Sequence, residues 1–208
     1  QLSKDGEIVV CHDEMVDRTS NAKGWLKDYT LAELKEMDFS YQFKELGKVS
    51  IPTMKEVFEL LKPTNLIINI ELKTGIFDYE GIEEKIIALT HAEGFEDRVI
   101  YSSFNHYSIM KIQELDPNAK TAFLYSDGPL DMPLYGYEHH VNALHPAAYN
   151  LRLPDFMEEC NVYHLDVNVW TVNTEEIALM CLKYGVNTLI TNYPDRIKKV
   201  IEQYETGI

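Results

Sequence analysis

The segment Asn69-Ile70-Glu71-Leu72-Lys73 places an amide, a carboxylate and an ammonium at alternate positions, which puts all three on one face of an extended strand. The opposite face, Leu66, Ile68, Ile70 and Leu72, is wholly apolar and suits packing under a helix. The polar face must therefore look into an interior that tolerates charge, which is the arrangement of an enzyme site. A second group of chemical interest is His12-Asp13 followed by Asp17-Arg18-Thr19, an imidazole beside several acids at the end of a short strand pattern. Taken alone the histidine is a weak signal, because such groups are commonly satisfied at surfaces.

Positioning these groups is a task for repeated strand-helix units. From Asn65 onward, β-branched runs alternate with helical patterns. Strands are expected at Leu66 to Lys73, Val99 to Phe104, Thr121 to Tyr125, Ala143 to His145, Val167 to Val172 and Thr188 to Thr191. Helices fall between them at Tyr79 to Glu93, Tyr107 to Leu115, Pro154 to Cys160, Thr174 to Tyr184 and Pro194 to Tyr204, with Ser126 to His140 read as a loop. This alternation signals an α/β protein built on a parallel sheet. Asn173 is expected to cap one helix and Gly185 to end it. The first sixty residues differ: a turn at Lys4-Asp5-Gly6, a short strand at Glu7 to Cys11, and helices at Thr30 to Met37 and Thr53 to Leu61.

The chain has 208 residues, 45% of them hydrophobic, enough for a full core, and reads as one domain. Its net charge of −15 argues against nucleic-acid binding, which needs a basic surface. An anionic substrate would need a local positive site, a lysine or a metal ion. No apolar run approaches the ~20 residues needed to cross a bilayer, so stable membrane insertion is not expected. The three cysteines, Cys11, Cys160 and Cys181, are widely spaced with no C-x-x-C pair, which fits a reducing cytoplasm.

The blocks Lys4-Asp5-Gly6, Val9 to Asp13, Asp17-Arg18-Thr19, Asn21, Gly24, Ile51-Pro52-Thr53, Asn69 to Lys73, Ser102 to Asn105, Trp170 to Asn173 and Thr191 to Asp195 together resemble the glycerophosphodiester phosphodiesterase family, in the family's order and over essentially the whole chain. The resemblance implies a TIM-type (β/α)8 barrel that hydrolyses small soluble glycerophosphodiesters to glycerol 3-phosphate and an alcohol with the help of Mg²⁺ or Ca²⁺. It assigns proton transfer to a histidine pair, of which His12 is the second member and the first is not found in this chain, Glu71 to the metal and Lys73 to the charge of the phosphate. Phe104 and Trp170 then contact substrate, although a core role for Trp170 is an equal alternative. His145 either lines the site or makes a structural hydrogen bond. His91, His106, His139, His140 and His164 need no special role.

The family's His-Arg-Gly and Glu-x-Asp blocks are not found in the chain. The expectation is thus an N-terminally truncated phosphodiesterase domain over residues 1–208, a barrel without its first βα unit and second strand, inactive by itself and open to self-association through its free edges. A related lipid phosphodiesterase of the phospholipase C or D kind, and a non-catalytic barrel serving as a binding module, are the competing readings.

Overall fold

The computed structural model describes residues 1–207. The chain divides into two compact units, Gln1–Ala119 and Lys120–Ile208. In the first, the N-terminal region forms helices α1 (Leu31–Glu36) and α2 (Met54–Leu61), each opened by a capping box, Thr30 with Glu33 and Thr53 with Glu56. In such a box two otherwise unpaired backbone N–H groups are satisfied reciprocally. Val9, Val16, Leu26, Leu34, Met37 and Ile51 make a buried cluster that holds this region together.

Residues Glu7 to Cys11 do not form the expected strand. They make only isolated antiparallel bridges, Leu2 to Ile8 and Val9 to Thr53, because Ile8 faces the short hairpin before it and Val9 the cap of α2. Gly6, at φ 81°, supplies the turn before them.

Strand β1 (Ile68–Glu71), helix α3 (Ile82–Glu93), strand β2 (Val99–Ser103) and helix α4 (His106–Leu115) complete the unit. Strands β1 and β2 are parallel, with Glu71 opposite Ser102. Strand β1 is shorter than expected at both ends. Toward its start the carbonyl of Leu66 accepts from the Arg98 guanidinium instead of a neighbouring strand, at 3.0 and 2.7 Å. Beyond its end a single bond, from Leu72 N–H to the Ser102 carbonyl, extends the pairing. The alternation nevertheless runs on: Ile70, Leu72 and Thr74 are buried, whereas Asn69 is exposed and Glu71 and Lys73 are half-buried. Leu66 departs from the apolar face, being 57% exposed.

The second unit contains β3 (Lys120–Tyr125), α5 (Met132–Glu138), β4 (Ala143–Pro146), α6 (Phe156–Val162), β5 (Asp166–Val169), α7 (Glu175–Tyr184), β6 (Thr188–Leu189) and α8 (Pro194–Thr206). Its four strands are parallel in chain order, as strand-helix alternation requires. Helix α5 falls where a loop was expected. Pro133 sits in its first turn, and Gly136 lets it approach β4 so closely that a Cβ there would lie 3.0 Å from Leu144. The cap of α7 is Thr174 rather than Asn173: the Thr174 hydroxyl accepts from Ile177 N–H, while the Asn173 side chain accepts from Asn192 N–H. Gly185, at φ 73°, closes that helix as expected. Among the described residues no helix is long and apolar enough to cross a membrane.

Candidate active site

In the first unit His12, Asn69, Glu71 and Lys73 line one cavity of about 300 Å³. Its other walls come from Val9 to Cys11, from Met54 and Val57 of α2, and from Ile82 and Ile86 of α3. The groups singled out in β1 and in the preceding segment thus meet, although 57 residues or more separate them in sequence.

Glu71 and Lys73 form an ion pair, Nζ to Oε1 at 2.7 Å, with side chains 25% and 14% exposed. Oε1 is buried, and its contact is this ion pair. Ser102, beside Glu71 in the β1–β2 register, carries a buried hydroxyl with no hydrogen-bond partner. Ser102 stood in the sequence only within the block Ser102 to Asn105 and without a role, because the strand register that aligns it with Glu71 is a tertiary property.

His12 is held from behind. The Gln1 side-chain amide donates to the carbonyls of Cys11 and Asp13, both at 2.9 Å, and accepts from the Tyr79 hydroxyl at 3.0 Å. This pins the backbone on each side of His12. The imidazole itself is exposed on one side, 72% by side chain, and its Nδ1 lies 2.7 Å from Asp13 Oδ1. Arg18 donates to both Asp13 oxygens, from Nε at 2.6 Å and Nη2 at 2.8 Å. The Arg18 hydrogen bonds, followed by that of His12, hold the Asp13 carboxyl well below the usual carboxylate range against the opposing effect of burial. Cys11 is half-buried against the Val9–Val16 cluster, with Sγ 3.9 Å from Thr19 Oγ1, and burial pushes its thiol pKa up. That is the behaviour of a small core residue, not of an activated nucleophile.

Phe104 directly follows β2 and is 47% exposed. It is not among the residues that line the cavity. Asn105 caps α4, its side chain accepting from Tyr107 N–H.

Trp170 belongs to the second unit, where it bridges Ala147 and donates its indole N–H to the His145 carbonyl at 2.8 Å. His145 is 1% exposed, faces Asn168 Nδ2 with its Nε2 at 2.9 Å, and keeps Nδ1 buried without a partner. Burial lowers its pKa to about 4, so it is a neutral group near pH 7.

For a divalent cation the chemistry of Glu71 is suitable, because a hard carboxylate oxygen is what Mg²⁺ and Ca²⁺ prefer. Among the described residues, however, no group of three or more His, Cys, Asp and Glu side chains stands close enough to hold a metal. Glu71 with Lys73 beside it does not make a cation site by itself.

The model of the glycerophosphoryl diester phosphodiesterase family matches residues 1–196. The chain belongs to this family. Among its relatives is a glycerophosphodiester phosphodiesterase of Caldanaerobacter subterraneus subsp. tengcongensis, 39% identical over 204 residues that cover 98% of this chain and 84% of the relative. The enzyme of the same name in Bacillus altitudinis is 39% identical over 209 residues, with the same coverage. A solved phosphodiesterase of Oleispira antarctica, in complex with the product sn-glycerol-3-phosphate, superposes with a TM-score of 0.83 at 26% identity, covering 97% of this chain and 82% of that one. The chain is therefore an enzyme of this family with the α/β architecture of its solved members.

Proposed function

We propose that this chain hydrolyses glycerophosphodiesters, small soluble diesters, to glycerol 3-phosphate and an alcohol. The observation that carries the reading is the meeting of His12 with the Glu71–Lys73 pair at one cavity in a chain of this family. Water oxygen attacks phosphorus, the P–O bond to the alcohol breaks, and the alcohol oxygen takes up a proton. In this scheme His12 moves the proton as general acid or base. The Lys73 ammonium, largely withdrawn from water, stabilises the negative charge that grows on the phosphoryl oxygens. Glu71 is the carboxylate we assign to Mg²⁺ or Ca²⁺; such cations take about six to eight oxygens, and it would hold one only together with oxygens beyond those the described residues place beside it. Phe104 is assigned to the substrate's organic part, where an aromatic face packs against glycerol or alcohol carbons; for Trp170 the same role and a core role remain equal alternatives.

By likeness to the solved relatives, we assign the strands to a TIM-type barrel. Three free thiols fit a reducing cytoplasm. The lipid-phosphodiesterase reading draws on Leu130, 90% exposed, and Tyr137, 52% exposed, around α5. A single assay separates the readings. Glycerophosphocholine and phosphatidylcholine vesicles are offered to the chain and to its His12→Ala variant with Mg²⁺ or Ca²⁺ present, and phosphorus-containing products are identified. Release of glycerol 3-phosphate from the soluble diester, lowered roughly 10²- to 10⁴-fold by the substitution, supports the proposal. Turnover of vesicles alone favours the lipid reading, and tight diester binding without turnover favours the binding module.

A further inference from the structure

We propose that Asp13, clamped by Arg18, is the positioning residue for His12: it fixes the proton on Nδ1 and so presents Nε2 to the substrate. The proposal rests on the reading that His12 transfers the proton.

Adjacent side chains of an extended segment point to opposite faces, so His12 and Asp13 should not meet in a strand. They meet here because the chain bends from His12 to Glu14, and the bend is fixed by the two Gln1 hydrogen bonds to the flanking carbonyls. An ionised carboxylate only accepts. The 2.7 Å contact between His12 Nδ1 and Asp13 Oδ1 therefore requires the ring proton on Nδ1, and the free lone pair of the neutral ring lies on Nε2.

Arg18 makes this arrangement firm. Its bidentate contact, 2.6 and 2.8 Å, engages both oxygens of Asp13, an orientation that a single ammonium could not impose. The guanidinium in turn stands over the Tyr41 ring, 5.4 Å from its centroid. With both oxygens engaged by cationic or N–H donors, Asp13 stays ionised and takes no proton from His12. During turnover Nε2 accepts a proton from the attacking water or returns one to the departing alcohol oxygen, and the Nδ1 proton stays where it is. This is the base-and-orienter relation found wherever an imidazole must act through one nitrogen.

The alternative is a surface Asp13–Arg18 ion pair beside an imidazole that is indifferent to it. Long-range ¹H–¹⁵N spectra of the uniformly labelled 208-residue chain at pH 8 distinguish the two, with His12→Gln identifying the resonances. The expected result is an Nδ1–H ring for His12. Asp13→Ala should return it to the Nε2–H form that free imidazole prefers, while Arg18→Lys, which keeps a cation on Asp13 but loses the two-point hold, should give a mixture of the two tautomers. An Nε2–H ring in the unsubstituted chain, or a tautomer unmoved by Asp13→Ala, overturns the proposal. The readout needs no turnover, so failure of the diesterase reading is seen separately. In the diesterase assay Asp13→Ala should lower kcat by about 10- to 100-fold, with KM within about twofold; a change confined to KM also counts against a positioning role.

Discussion

At the scale of single residues the site depends on two charges held in partial burial. Lys73, 14% exposed, has Glu71 as its ion-pair partner, so Glu71→Gln leaves an ammonium short of compensation in a poorly hydrated place. Removing one member of a withdrawn pair costs more than the pair contributes; with Glu71 still 25% exposed, solvent screening reduces that cost to about 1–2 kcal/mol. The expected outcome is a lowered denaturation midpoint for Glu71→Gln and a smaller loss for the double variant Glu71→Gln with Lys73→Met. With Lys73→Met measured alongside, a double-variant loss equal to the sum of the two single losses would show that the pair is not coupled. Mg²⁺ or Ca²⁺, titrated calorimetrically into the 208-residue chain, should bind no more tightly than about millimolar, because a lone carboxylate supplies too few oxygens; micromolar binding would reveal ligands beyond Glu71. The spacing of Asn69, Glu71 and Lys73 made their common face legible in sequence. The Gln1 clamp, the Asp13–Arg18 contact and the buried Ser102 hydroxyl were not legible, since each depends on a bend or a register that no local pattern encodes.

At the scale of elements, apolar periodicity located all six strands and most helices, and failed where tertiary partners decide. Val9 reads as strand but finds only the Thr53 cap to bridge, and Pro133 with Gly136 read as loop although Gly136 serves close packing of α5 on β4. The consequence of most weight concerns β1. Its one strand neighbour is β2, and beside its open edge Leu66 and Ile67 are 57% and 65% exposed. A strand at the end of a sheet with exposed apolar residues at its start can serve as a template for another chain, and the partner expected is a second copy of this chain. Sedimentation velocity should show concentration-dependent self-association at an ionic strength high enough to screen the net charge of −15. Ile67→Lys, which sets a charge on the edge without touching the buried Ile70 or Leu72, should suppress it. A chain that stays monomeric across the range, or an association indifferent to Ile67→Lys, would rule out the β1 edge as the contact.

At the scale of the whole molecule, acid tolerance is set in part by a group with no assigned chemistry. His145 is 1% exposed, and burial lowers its pKa from 6.5 to about 4. As pH falls below 6.5 the unfolded chain takes a proton on this ring while the folded chain does not, so the unfolded state binds more protons and stability declines. The decline ends near pH 4, where the folded state protonates as well. The interval corresponds to about 3 kcal/mol at most. Asp38 acts in a lower window: hydrogen bonds, first from Ser40 N–H, depress its carboxyl from 3.8 to about 2, so its contribution is present above 3.8 and is lost as pH falls toward 2. The two windows hardly overlap, which makes the histidine separable. His145→Gln keeps an oxygen that can accept from Asn168 Nδ2 but cannot titrate. Urea midpoints measured from pH 7 to 4 should fall more steeply for the unsubstituted chain than for His145→Gln, while groups common to both proteins cancel in the difference. Parallel curves over that interval would mean that His145 already carries a proton in the folded state, and that its unpartnered Nδ1 is less enclosed than its burial indicates.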